Sequence, residues 1–458
     1  VSKKSSRQKI WSSQSIRELA RKRLSEDSVA SDLSHEKPLE SPLSPKAVTE
    51  TSFEFEFGRF EKAKGERVIV VEPYVFQKEK IAQGFDFKQQ ASQDLEEMVS
   101  LCRTLGLQVV IEKTLHLKKG PVARTYIGRG VLDSLALDLK NTGSVALVID
   151  APLSPGQVKN IEKQIGAPVL DRESVILSIF ERHAKTSLSK MQVELARLKY
   201  LQPRLAGIWS GLSRQSGGGG QVGRGQGETR LELDRRNVKE RISVLTQKLK
   251  EAEKQMQVQS QSRSSLPRVA LVGYTNAGKS SLMNKLTSAD VLQSSKLFAT
   301  LDTTVRTLEP PTVPRILVSD TVGFVKNLPP NVVASFKSTL REAMNSPLLL
   351  NVVDVSGDQV LSDFQVTQTI LKQMGLKTQS QILVLNKIDL LNPKTRKLKI
   401  FELRKHFELE LPDLKMHVIS CVGTGEGLLE LKKTIMNFFG ADYPEWVKKK
   451  ESEIQIPL

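Results

Sequence analysis

Apolar and polar positions along the chain fall into distinct textures. From Arg67 onward, short apolar runs alternate with segments of helical spacing. Val68 to Val71, Leu107 to Ile111, Val145 to Ile149 and Val169-Leu170 read as strands, with helices over Leu95 to Leu105 and Val131 to Leu139. That alternation predicts a small parallel α/β domain over residues 67–170. Its Ile127-Gly128-Arg129-Gly130 stretch reads as a tight turn leading into the helix at Val131.

At Asp171 the period lengthens. Asp171 opens a long helical stretch with Glu173 in its first turn, and Leu188, Met191, Leu195 and Leu198 recur at spacings of three and four until Pro203, where the helix is expected to end. Val238, Ile242, Leu245, Leu249, Ala252 and Met256 repeat the pattern on a second arm. Two such arms predict an antiparallel helical hairpin over residues 171–258, with the apolar seam as its packing face. A polar linker follows over 259–267, and then a second α/β texture over 268–440. Its strands are expected at Val269 to Val272, Ile316 to Val318, Ile382 to Leu385 and Val418-Ile419. Residues 1–66 are rich in Ser, Lys, Glu and Pro and read as a disordered tail, and 441–458 as a short charged one.

Charge changes the picture. The chain of 458 residues carries a net charge of +17, which points to a polyanionic partner, nucleic acid before membrane. No apolar run approaches membrane-spanning length. Over residues 171–260 seventeen basic side chains face ten acidic ones. The expected loop between the arms, about residues 206–230, combines glycines from Gly217 to Gly227 with Trp209, Arg214, Arg224 and Arg230, and Arg204 stands just before it. Arginine pairs with phosphate or stacks on bases, as Trp209 can, so the tip reads as RNA-probing. Two cysteines, Cys102 and Cys421, form no disulfide framework, and a reducing compartment is the default. Up to Arg23 the tail holds eight basic residues and one acid, which fits a basic arm for RNA or an organelle transit peptide. A cytoplasmic monomer is expected, with an organelle matrix as the alternative.

The chemistry sits in the second α/β texture. Gly273 and Gly278 bracket four residues and are followed by Lys279 and Ser280, which is G-x-x-x-x-G-K-S between a strand and a helix. Backbone N–H groups of Gly273, Asn276, Ala277, Gly278, Lys279, Ser280 and Ser281 would cradle a polyphosphate. Lys279 would reach the β- and γ-phosphates, and the Ser280 hydroxyl would hold Mg2+. Asp320-Thr321-Val322-Gly323 follows an apolar run, placing Asp320 to hold the metal through water and the Gly323 N–H to report the γ-phosphate. Asn386-Lys387-Ile388-Asp389 ends another strand. A carboxylate at Asp389 can accept both the ring N–H and the exocyclic amine of guanine, which adenine does not offer. Ser420 and Cys421 fit the last base-contacting loop, and Thr303 and Thr304 are candidates for the threonine that covers the metal. The order of these motifs predicts a P-loop GTPase domain with a doubly wound, mostly parallel sheet, binding GTP and GDP. Phe324 stands after D-x-x-G, where a glutamine often orients the attacking water, so slow intrinsic hydrolysis and a partner that completes the site are expected.

Further stretches resemble the HflX family of translational GTPases. They include Tyr126-Ile127-Gly128-Arg129-Gly130, Leu170-Asp171-Arg172, Gln192-Val193-Glu194-Leu195-Ala196, Leu212-Ser213-Arg214-Gln215 and Gly225-Gln226-Gly227-Glu228-Thr229. Phe298-Ala299-Thr300-Leu301-Asp302 and Phe336-Lys337-Ser338-Thr339-Leu340 look like that family too. The likeness covers about residues 67–440 and includes the half outside the GTPase domain. It implies a factor that binds the large ribosomal subunit, brings the hairpin tip near the peptidyl transferase centre, and splits stalled or idle ribosomes. By the family pattern Thr304 is the switch threonine, while Thr303 and Gln226 stand where prolines are usual. Two other readings of the residues are a GTPase checkpoint in large-subunit assembly and a nucleotide-gated switch acting on a non-ribosomal RNA or protein.

Overall fold

In the computed structural model the described residues are 65–76, 86–215, 223–261, 266–287, 297–298, 301, 303–328, 332, 345–375, 380–410, 415–419 and 423–444. The chain divides into two units, Val1–Glu54 and Phe55–Leu458, and all described residues belong to the second. Nearly all of the expected N-terminal tail and the charged end after residue 444 lie outside them, as do Ser420 and Cys421.

The N-terminal domain runs β1 (Arg67–Tyr74), α1 (Phe87–Thr104), β2 (Gln108–His116), α2 (Arg129–Thr142), β3 (Ala146–Ile149), α3 (Pro155–Ile165) and β4 (Val169–Asp171). Its strands are all parallel, in the order β2-β1-β3-β4. β1 and β3 are apolar at nearly every position because helices cover both faces of the sheet. Local chemistry starts and stops the helices. Asp86 accepts from the Lys88 and Gln89 N–H groups at the head of α1, and Ser154 and Gln157 form a capping box on α3 ahead of Pro155. Gly128 caps α2, so the turn before that helix has the ordinary role expected of it. The chain reverses its winding between β1 and β3, so the carboxyl ends of these two strands form the switch point of the sheet.

Asp171 closes β4 and also caps α4 (Arg172–His183), accepting from the Ser174 N–H at 2.8 Å. The helical stretch that follows is not continuous. Ala184 is extended, and α5 (Ser187–Gln215) starts afresh. Pro203 does not end α5 but lies inside it. The Arg204 guanidinium beside it donates to the carbonyls of Tyr200 and Leu153 and to the Asp171 carboxylate, at 3.0, 3.1 and 2.8 Å, and stacks over the Tyr200 ring. These bonds hold the turn around the proline that a lost N–H would otherwise loosen. Arg204 is therefore a buried structural residue and no part of an RNA-probing tip.

Helix α6 (Gly223–Gln261) returns antiparallel to α5, so residues 206–215 and 223–230, expected as loop, are helical in backbone. Extending an existing helix adds a bond for each residue fixed, which carries it through sequence too glycine-rich to nucleate one. Leu195 and Leu198 on α5, and Val238, Leu245 and Leu249 on α6, are buried as the seam pattern predicts. The buried face of α5 is wider than a two-helix seam, taking in Val193 and Ala196, because α5 also packs on α3 and α4.

The C-terminal domain continues with β5 (Arg268–Gly273), α7 (Lys279–Thr287), β6 (Thr304–Thr307), β7 (Leu317–Asp320), β8 (Leu348–Asp354), α8 (Val360–Gln373), β9 (Ser380–Asn386), α9 (Arg396–Glu410), β10 (Lys415–Val418) and α10 (Leu428–Phe439). The sheet order is β10-β9-β8-β5-β7-β6, parallel except where β6 runs against β7. β5 shows why its sequence is apolar from Val269 to Val272. Val269 and Leu271 pack into a core with Leu282, Met283 and Ile435, while Ala270 and Val272 pack on the opposite face with Leu349, Ile370 and Leu371.

Candidate functional site

The carboxyl ends of β5, β7 and β9 bring the motif residues together. Gly273 leaves β5 at φ +145°, and a Cβ there would stand 2.2 Å from the Val352 carbonyl oxygen of β8, so the loop starts where no side chain fits. Beyond it Asn276 and Gly278 take positive φ, and Lys279 opens α7. This phosphate-loop geometry aims successive N–H groups inward. The D-x-x-G loop lies against it. The Thr275 N–H donates to the Phe324 carbonyl at 2.7 Å and the Phe324 N–H to the Gly273 carbonyl at 3.1 Å. Gly323 is packed so tightly that a Cβ would meet the Thr275 Cγ2 at 2.8 Å and the Lys279 Nζ at 3.0 Å.

Lys279 is buried, and its ammonium donates to the carbonyls of Gly273 and Tyr274 at 3.1 and 2.7 Å. Burial lowers its pKa to about 8 against the pull of Asp320, with Lys387 lowering it further. The Ser280 hydroxyl donates to Asp320 Oδ2 at 2.6 Å, and Asp320 is fully buried at the end of β7. Thr304, the first residue of β6, is the direct cross-strand partner of Asp320. Opposed residues of an antiparallel pair share a sheet face, so Ser280, Asp320 and Thr304 converge on one spot. Three oxygen donors of this kind suit a hard divalent cation such as Mg2+.

At the base end, Asn386 is buried in β9 and its side-chain amide donates to the Ala277 carbonyl at 2.8 Å, tying the N-K-x-D turn to the phosphate loop. Lys387 takes φ 64° and pairs with Asp354 at 2.6 Å. Asp389 is exposed on the short 3-10 turn that follows. Phe324 turns away from these groups into the core with Ala270, Leu349 and Met374. Trp209 and Arg214 lie on α5 and Arg224 on the first turn of α6, away from the motif loops in sequence and on another part of the fold.

The structure adds residues that the motifs do not contain. The Tyr274 hydroxyl accepts from the Lys326 N–H at 2.8 Å and donates to Glu97 of α1. Burial first, then Glu97, pushes the phenol upward in pKa, which keeps it a donor. Glu97 also receives Arg172, whose guanidinium bonds Asp150 at 2.6 Å and the Lys326 carbonyl at 3.1 Å. The Lys326 ammonium pairs with Asp94 at 3.0 Å. Asp150 stands at the switch point of the N-terminal sheet beside Glu72, whose carboxyl is pushed up to about 10 by burial and then by Asp150. The Leu297 N–H donates to the Thr104 hydroxyl at 3.3 Å, and Phe298 packs edge-on to Phe180 of α4 with ring centroids 4.6 Å apart. The N-terminal domain thus grips the phosphate loop, the segment before β6 and the loop after D-x-x-G. A cleft of roughly 590 Å³ lies along this seam, lined by Glu96, Glu97, Tyr274, Thr275, Asn276 and Asp358 among others. Only a tyrosine inside a phosphate loop hinted at this in the sequence, since the partners are up to 232 residues apart.

A strand-to-helix phosphate loop, a metal-suited cluster beside it and an N-K-x-D turn tied to its back are held by one doubly wound sheet, and together they define a P-loop GTPase domain. Residues 268–387 match the family described as 50S ribosome-binding GTPase. Residues 92–181 and 183–263 match the GTP-binding GTPase N-terminal and middle-region families. A GTPase HflX of Flavobacterium psychrophilum is 42% identical over 346 residues, covering 76% of this chain and 79% of that protein. One from Gluconacetobacter diazotrophicus is 48% identical over 65% of this chain, and the match spans 63% of its own length. Among solved structures, a GTP-binding protein from the hyperthermophilic archaeon Sulfolobus solfataricus in complex with GDP aligns over 81% of this chain and 97% of that one, with a TM-score of 0.40 and 25% identity. The chain belongs to the HflX family of GTPases, and it is a GTPase that binds guanine nucleotides.

Proposed function

We propose that this GTPase works on the ribosome: it binds the large subunit, dissociates stalled or idle ribosomes, and leaves when GTP is hydrolysed. The observation that carries this reading is the match of residues 268–387 to 50S ribosome-binding GTPases. The net charge of +17 and the long two-helix arm support it, since a basic protein reaching toward ribosomal RNA needs both. Trp209, Arg214 and Arg224, near the far end of the arm, are the residues assigned to RNA near the peptidyl transferase centre.

At the nucleotide site, the backbone N–H groups of Gly273, Asn276, Ala277, Gly278, Lys279, Ser280 and Ser281 cradle the phosphates, and Lys279 neutralises the β- and γ-oxygens. Ser280, Asp320 and Thr304 hold Mg2+, which supplies charge compensation on those oxygens when bound. Asp389 accepts the two guanine donors, while Asn386 and Lys387 fix its turn through Ala277 and Asp354. Ser420 and Cys421, outside the described residues, are assigned to the base end. The Gly323 N–H marks the γ-phosphate, and Phe324, committed to the core, has no group with which to orient water. Hydrolysis is therefore slow in the free protein, and docking on the subunit completes the site.

GTP turnover with and without purified large subunits tests the proposal. Stimulation of tenfold or more is expected, with the protein sedimenting with mature large subunits after ribosome dissociation. Turnover indifferent to subunits, or sedimentation with precursor particles alone, would overturn it.

A further inference from the structure

Thr275, the third residue of the phosphate loop, plays no part in the motif assignments. Its Oγ1 is buried and has no hydrogen-bond partner among the described residues, and the residue is 6% exposed. Leaving such a hydroxyl unsatisfied is costly, because burial strips its water and nothing replaces it, so it calls for an explanation. The surroundings supply one. Thr275 stands against Gly323, which also has Lys279 close by, and these are the two groups assigned to the γ-phosphate. A Cβ on Gly323 would stand 2.8 Å from its Cγ2 and 3.0 Å from Lys279 Nζ, so the threonine side chain, the Gly323 backbone and the lysine ammonium crowd one point. Its backbone cannot drift, because its N–H is held by the Phe324 carbonyl at 2.7 Å. Thr275 also lines the cleft beside the loop.

We propose that Thr275 is a γ-phosphate contact: with GTP bound, its hydroxyl donates to a γ-phosphoryl oxygen, and so helps the site tell GTP from GDP. The idea rests on the phosphate-loop reading and goes one residue beyond it. A hydroxyl is the right chemistry, since it donates one proton to an anionic oxygen and needs no charge of its own. The γ-methyl fixes the rotamer by packing on Gly323, where no side chain could intervene. No bond is made or broken by Thr275. Its effect falls on the state in which the third phosphate is present, and GDP has none.

Threonine 275 can be tested in the full chain with Thr275→Val, which keeps the shape and removes the hydroxyl, and Thr275→Ser, which keeps the hydroxyl and removes the methyl. Affinities for GDP and for a non-hydrolysable GTP analogue, both with Mg2+, are measured alongside single-turnover GTP hydrolysis. Thr275→Val should bind GDP within about twofold of wild type, while its analogue affinity and its hydrolysis rate fall on the order of tenfold, as for a lost hydrogen bond to a charged group. Thr275→Ser should recover most of both. Equal loss of GDP and analogue binding, wild-type behaviour of Thr275→Val, or failure of serine to rescue would each overturn the proposal, the last by assigning the effect to the methyl. Failure of the wild-type chain to bind GDP would instead strike down the phosphate-loop reading, and the proposal with it.

Discussion

Asp389 and Asp363 are both carboxylates, and their surroundings give them opposite behaviour. Asp389 is exposed on a short turn, at the surface where a base edge can reach it. Replacing it with Asn exchanges an acceptor for a donor, so Asp389→Asn should lose GTP affinity on the order of a hundredfold or more and gain for xanthine nucleotides. An unchanged GTP-to-XTP ratio in competition binding would remove Asp389 from base recognition. Asp363, in the first turn of α8, is instead pushed up to about 7 by burial, with Glu97 and Asp354 raising it and Lys326 opposing them. Its folded-state pKa lies above the unfolded one, so the native state binds the extra proton between about pH 4 and 7. Its contribution to stability therefore falls as pH rises through that window and is flat above it. Urea denaturation should show the wild type losing stability relative to Asp363→Asn between pH 5 and 7. A constant gap would mean that Asp363 ionises normally.

At the level of elements, the joint between α1, α4 and the motif loops decides how the two halves of the protein respond to each other. Its bonds converge on Glu97, which receives Arg172 from its own domain and Tyr274 from the phosphate loop. Tyr274→Phe strips one hydroxyl and leaves the Lys326 N–H and Glu97 each one partner short. A loss of about 1–2 kcal/mol of stability is expected, along with faster hydrogen exchange at the Lys326 amide. In a double-mutant cycle with Glu97→Gln the two changes should be non-additive by at least about 0.5 kcal/mol. Additivity would show that the contact carries no energy. The same scale explains the two differences in the hairpin. A proline and a glycine-rich stretch are strong local signals, yet helix α5 passes through Pro203 because Arg204 is anchored to Asp171 and Leu153, and α6 begins at Gly223 because it extends an arm already packed.

For the whole molecule, the arm and the nucleotide site lie on separate elements, and the proposed docking is what would link them. Alanine at both Arg214 and Arg224 should leave GDP and GTP affinity unchanged. It should weaken large-subunit binding several-fold or more per lost phosphate contact, make the salt dependence of that binding shallower, and lower subunit-stimulated turnover in step. Normal ribosome splitting with the wild-type salt slope would reduce the tip to a linker, and RNA contacts would then belong elsewhere on the protein. Among the described residues no helix is long and apolar enough to cross a membrane.

The sequence by itself determined the two α/β domains, the helical arms and the identity of the nucleotide motifs. Strands buried on both faces must be apolar through their middle, as Val269 to Val272 of β5 are, and a backbone cradle for phosphate needs glycine at Gly273 and Gly278, so these features leave a local imprint. Convergence needed the tertiary structure. Thr304 meets Asp320 through an antiparallel register, and Asn386 meets the Ala277 carbonyl across the sheet edge. Arg204 proved to be an anchor and Phe324 a core residue, while Glu97, Arg172, Tyr274 and Lys326 became neighbours across more than a hundred residues of chain. None of these has a sequence period, because a contact between distant elements is set by where the sheets and helices come to rest and not by the spacing of residues along the chain.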